Sequence, residues 1–158
     1  MNVNPSYRVV VARSICQIPE ADWVKVYPQV SENYGFFRTL DESGFDQFSF
    51  FYIMVYKGQE PVGALSCFTM RFALDMTVTG FLKQVFGVFR RVAPNLLSPK
   101  VFMCGLPMGM GRIGLVSDQP DVLEIIRSEV EKLARLEKAA MIIYKDFTGP
   151  YEEAIAPF

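Results

Sequence analysis

The sequence predicts a mixed α/β domain of the α+β kind, a central sheet flanked by helices, and three stretches predict it. Residues 99–147 read as strand, glycine-rich loop, capped helix and strand, a crossover that joins two parallel strands. Residues 48–72 read as a β-hairpin, since two aromatic and β-branched runs flank the turn residues Lys57-Gly58-Gln59-Glu60. Residues 79–93 switch to helical spacing, with Phe81, Leu82, Val85, Phe86, Val88, Phe89 and Val92 on one arc opposite Lys83, Gln84, Arg90 and Arg91.

In chain order, Tyr7 to Ala12 holds Val9-Val10-Val11 and predicts the first strand, ended by Arg13-Ser14. A short helix starts at Pro19-Glu20-Ala21-Asp22-Trp23. A second runs from Ser31 to Leu40 with Tyr34, Phe37 and Leu40 on one side, and Asp41-Glu42-Ser43-Gly44 stops it. In the hairpin, Pro61 belongs at the start of its strand, where a missing donor matters least, and Gly63 marks a bulge. Pro94-Asn95 ends the helix over 79–93. That helix suits packing on the sheet, docking of a partner or peripheral contact with a membrane surface.

The helix after the glycine-rich loop is the best-marked element. Ser117 or Asp118 can cap it, Pro120 suits its first turn, and Asp121 and Glu124 put negative charge near its positive end. Its expected buried stripe is Val122, Ile125, Ile126, Val130, Leu133 and Leu136, with Glu129 alone interrupting the arc. Residues 139–144 follow as an unbroken apolar run, which predicts a strand covered on both faces. After the turn at Thr148-Gly149-Pro150, a further helix begins at Tyr151 and stops almost at once, so the fold reads as incomplete at its C-terminal end.

At 158 residues the chain suits one domain with a substantial core. A hydrophobic share of 51% with 14 Phe and 7 Tyr argues against disorder and leaves apolar surface for a partner. The formal net charge of −1 gives no electrostatic reason to expect DNA as a ligand. No run approaches the roughly 18 apolar residues that cross a bilayer, and the first residues lack a secretory pattern, so the expected location is cytoplasmic. Cys16, Cys67 and Cys104 are isolated from one another and read as reduced thiols. With no His and no CxxC pair, the usual zinc site and every imidazole-dependent triad are excluded, and no metal is expected.

The order of strand, two short helices, hairpin, glycine-rich loop, helix and strand resembles the GNAT acyltransferase superfamily. Within it, Glu32-Asn33-Tyr34-Gly35-Phe36-Phe37-Arg38 and the residues on to Gly44, the strand reaching Val62-Gly63-Ala64, Val101-Phe102-Met103-Cys104-Gly105 and Ile142-Ile143-Tyr144-Lys145-Asp146-Phe147 resemble the FemAB-like, peptidoglycan biosynthesis or recognition type. That type often carries two GNAT-like halves, and the resemblance implies that residues 1–158 are the first. It also implies a donor site in which backbone N–H groups hold the pyrophosphate of acetyl-CoA or another acyl-CoA at a helix N-terminus. Carried onto this chain, the candidates are Gly109, Met110, Gly111, Arg112, Ile113 and Gly114. Leu106 stands where the motif has Gln or Arg, and residues 115–118 intervene before the helix.

For the chemistry, the resemblance points to Tyr151 as general acid by location, and backbone amides near 103–106 can serve the oxyanion. Asp146, beside Lys145 at the carboxyl end of a parallel strand, is a second catalytic candidate, with a surface ion pair as the plainer alternative. Glu32, Asp41 and Glu42 can face an amine substrate or simply be solvated. Two functions follow. One is N-acyl transfer from acyl-CoA or aminoacyl-tRNA to an amine. The other is a non-catalytic scaffold or interaction domain that works with a second GNAT-like half or as a homo-oligomer. An open gap between the fourth strand and the strand after the helix favours the first; a gap filled by Met108, Met110 or Phe side chains favours the second.

Overall fold

Strand β3 (Glu60–Arg71) is the axis of the fold. On one edge it pairs antiparallel with β2 (Ser49–Lys57), which in turn pairs antiparallel with β1 (Tyr7–Ala12). On its other edge two strands lie end to end: β4 (Lys100–Cys104) against residues 67–71, and β5 (Ile113–Leu115) against residues 63–65. Beyond β4 lies β6 (Met141–Tyr144), parallel to it. The result is a six-stranded, mostly antiparallel sheet of order β1-β2-β3-β4-β6, with β5 on β3. This computed structural model describes residues 7–27, 31–72, 98–116 and 120–147.

The hairpin forms where expected. Lys57 faces Glu60 across a two-residue turn, and Gly58 at φ 62° supplies the positive φ that a turn matched to strand twist needs at its first position. A register shift follows at once between Val55 and Tyr56, one residue from the expected bulge. Gly63 then has a packing reason. A Cβ there would overlap the Val122 side chain and lie 3.3 Å from Ile126 Cδ1, so glycine lets the helix of the crossover settle onto β3.

That helix, α3 (Pro120–Leu136), buries Val122, Ile126, Val130, Leu133 and Ala134 against one sheet face. Of the expected stripe Ile125 is only half-buried, and at its end Leu136 is 67% exposed with Ala134 buried in its place. The cause is the helix end. Lys138 N–H donates to Arg135 O at 3.1 Å and Ala139 N–H to Ala134 O at 2.9 Å, with Lys138 at φ 54°. That pattern closes the last turn and leaves Leu136 pointing outward. The cap expected at Ser117 or Asp118, the helix over 79–93 and the segment from Tyr151 lie outside the described residues.

The other face is covered by a 3-10 turn (Ile15–Gln17), α1 (Glu20–Val26) and α2 (Tyr34–Glu42). Asn33 caps α2 by accepting from Phe36 N–H at 3.1 Å. Two corrections to the sequence reading concern strands. β6 pairs only with β4 among the described residues and is partly exposed, because it is the outermost strand and not a covered one. β5 was not expected at all, and it occupies residues assigned to the loop. No described helix is long and apolar enough to cross a membrane.

Candidate functional site

The site expected at the carboxyl end of β4 is residues 105–112, which leave the sheet between β4 and β5. Since both strands run along one edge of β3, the segment is an excursion from an interrupted strand, and the chain returns to the sheet before α3 begins. Three of its amides are spent on protein. Gly105 N–H donates to Ser66 O at 2.8 Å and Gly111 N–H to Asp146 O at 3.0 Å. Met110 N–H points to Glu32 Oε1 at 3.4 Å, and Ile113 and Gly114 are in β5, paired with Leu65 and Ala64.

The glycines serve close approach. A Cβ on Gly111 would overlap Lys145 O and the Phe147 ring, and one on Gly105, at φ 112°, would come within 2.9 Å of Lys145 O and 3.6 Å of Phe147. At Gly114 it would lie 2.8 Å from Val26 O, and at Gly109, at φ 107°, 2.8 Å from Glu32 Oε1. The gap between β4 and β6 is closed accordingly. The two strands pair through Cys104 and Tyr144, Lys145 N–H continues to Cys104 O at 3.0 Å, and Gly111 bridges to Phe147. Phe147 fills the space, while Met108 and Met110 are exposed. Leu106 is buried in the core under α1 and α2.

The electrostatics also differ from those of an anion cradle. Glu32 is 7% exposed and accepts from Ser31 Oγ at 3.1 Å. Burial pushes its carboxyl up, but hydrogen bonds from its own backbone N–H, Ser31 and Met110, with the Arg112 charge, outweigh burial and hold it below the usual range. Arg112, the expected phosphate partner, has Nε 3.9 Å from Glu32 Oε2. A carboxylate therefore stands against the backbone where a pyrophosphate would need only donors, and its charge repels such a ligand.

The remaining candidates separate. Asp146 adopts φ 56° and pairs its half-exposed carboxylate with Lys145, the surface ion pair of the plainer alternative. Tyr151 lies outside the described residues. Met103 and Cys104 are flanked by β3 and β6, so their amides, two of those expected near an oxyanion, are ladder donors. Asp41 and Glu42 line a cleft of about 460 Å³ with Arg13, Cys16 and Phe48. Within it Asp41 is committed to Ile15 N–H at 2.6 Å and Tyr52 O–H at 2.7 Å, and Glu42 to Arg38 at 2.8 Å. Among the described residues no cluster of three or more His, Cys, Asp or Glu could hold a metal ion.

Sequence reasoning offered Phe side chains as one filling of the gap without singling out Phe147, and it missed Glu32 as the loop's partner. The spacing of four glycines within ten residues was the available signal, read as room for a phosphate when it is room for neighbouring chain. No family model matches this chain, and neither does any curated protein or solved structure.

Proposed function

We propose that this chain is a GNAT/FemAB-like domain acting as a non-catalytic scaffold in acyl transfer, one that presents a sheet and its loops to a partner and does not itself hold an acyl donor. The family part of this reading is supported by the order β1-β2-β3-β4-β6 with, among the described residues, one parallel strand pair formed across a loop and helix. The scaffold part rests on one observation. The loop expected to cradle a pyrophosphate has its Met110 and Gly111 amides bonded to Glu32 and Asp146 and its glycine faces packed on Lys145, Phe147 and Glu32.

Calorimetric titration of the full chain with acetyl-CoA tests it. The expected result is no heat of binding at micromolar concentrations. Micromolar binding that Met110→Asp weakens would overturn it, because an added carboxylate at that exposed position repels a phosphate without disturbing the packed glycines. Transfer of an acyl or aminoacyl group to an amine would then become the working function.

A further inference from the structure

Cys67 on β3 and Cys104 on β4 are direct partners in the antiparallel register, and both side chains enter the core on the α3 face. The type of pair follows from the next rung. Gly105 N–H donates to Ser66 O at 2.8 Å, so Ser66 and Gly105 form a hydrogen-bonded pair and Cys67 and Cys104 form the adjacent non-bonded one. In such pairs the Cα atoms lie about 4.5 Å apart and the side chains approach most closely. That separation falls within the range of about 4.4–6.8 Å spanned by disulfides. Both are free thiols in the same apolar cluster.

From this geometry we propose that Cys67 and Cys104 are a cross-strand redox pair, oxidised to a disulfide by a peroxide. One sulfur attacks the O–O bond and becomes a sulfenic acid, and its displaced proton leaves with the hydroxide as water. The second sulfur then attacks the first, its proton joining the departing hydroxyl as a second water. Two thiols and one peroxide thus become one disulfide and two waters, with the peroxide taking up the two electrons. The product ties β3 to β4 at the root of residues 105–112 and closes the chain between 67 and 104 into a covalent loop, which narrows the unfolded ensemble.

Burial, and then the neighbouring Cys104, push the Cys67 thiol well up, so Cys67 rests as the neutral thiol. Both residues are 1% exposed or less, so a small uncharged oxidant is the fitting reagent. Cys16 is exposed and has no cysteine partner.

The test uses the full chain with Cys16→Ser, treated with hydrogen peroxide under folding conditions, quenched, unfolded and alkylated. The expected result is an intact mass lower by two hydrogens, no alkylatable thiol, and a peptide pair joined through positions 67 and 104. The urea midpoint should rise and return to its starting value with a reductant. Two alkylatable thiols after treatment, separate sulfinic acids on the two residues, or an interchain dimer would each overturn the proposal. Adding Cys67→Ser should abolish the two-hydrogen loss; a loss that persists would also overturn it.

Discussion

The two faces of the sheet are held by different forces. Under α3 the core is built from Ile53, Val55, Leu65, Ile113, Val122, Ile126 and Val130 with Phe51 and Phe102, and its cohesion is dispersion and the removal of apolar surface from water. Under α1 and α2 the core is aromatic and hydroxylated. Trp23 stacks on Tyr27 with centroids 4.7 Å apart and meets Phe37 and Tyr52 edge-on at 5.0 and 5.7 Å. Tyrosine hydroxyls bolt this layer down: Tyr52 donates to Asp41 at 2.7 Å, Tyr56 to Asp22 at 2.9 Å, and Tyr34 to Ile18 O at 2.9 Å. One face tolerates changes that keep volume; the other also demands direction.

The contrast can be broken most forcefully at Trp23. Trp23→Ala removes the hub of the aromatic layer and is expected to cost about 4 kcal/mol in chemical denaturation. On the opposite face, Gly63→Val should cost about 2 kcal/mol by overpacking, since its side chain must displace Val122, and a paired Val122→Ala should recover part of the loss. An unaltered midpoint in Gly63→Val would mean that α3 does not rest on β3 as described.

Tyr52→Phe keeps the ring and deletes one bolt, leaving Asp41 with Ile15 N–H alone; about 1.5 kcal/mol should be lost. Volume-matched Ile53→Leu on the other face should cost less, and equal losses would erase the distinction between the faces.

One group from each face responds to an opposite end of the pH scale. Burial, and then the hydrogen bond to Asp22, pushes the Tyr56 hydroxyl from 10.0 up to about 12, so the stability it contributes is whole below pH 10 and is lost as pH rises towards 12. At the α3 end, hydrogen bonds from Lys100 and then Arg13 hold Glu137 below its ordinary 4.5, so its contribution is present above that value and is lost as pH falls through the lowered one. Urea midpoints across pH should show Tyr56→Phe flattening only the alkaline limb and Glu137→Gln only the acid limb. The smallest expected effect is a gain: Lys138→Gly relieves the positive φ at the end of α3 and should add roughly 0.7 kcal/mol.

What was legible in the sequence follows the same division. Periodicity reports apolar faces, so α3, the hairpin and the parallel β4 and β6 pair could be read from Val122, Ile126 and Val130, from residues 48–72 and from the two apolar runs. Hydrogen bonds between distant side chains leave no periodic trace. Asp41 and Tyr52 carry no mark of each other, so Asp41 was read as a solvated or amine-facing acid. β5 escaped because three residues among glycines show no alternation, and the loop was misread because glycine is needed equally where a phosphate approaches and where Phe147 does.

Because β2 lines one edge of β3 while β4 and β5 share the other, the middle of β3 can be freed only after neighbours on both sides have let go. Amide hydrogens there, from Ala64 to Phe68, should be the last to exchange with solvent, and only on global unfolding. β1 and β6, each bonded along one edge among the described residues, can fray first. The chain thus opens from its borders inward, and the cysteine pair, set beside the interruption between β4 and β5, sits at the last seam to part.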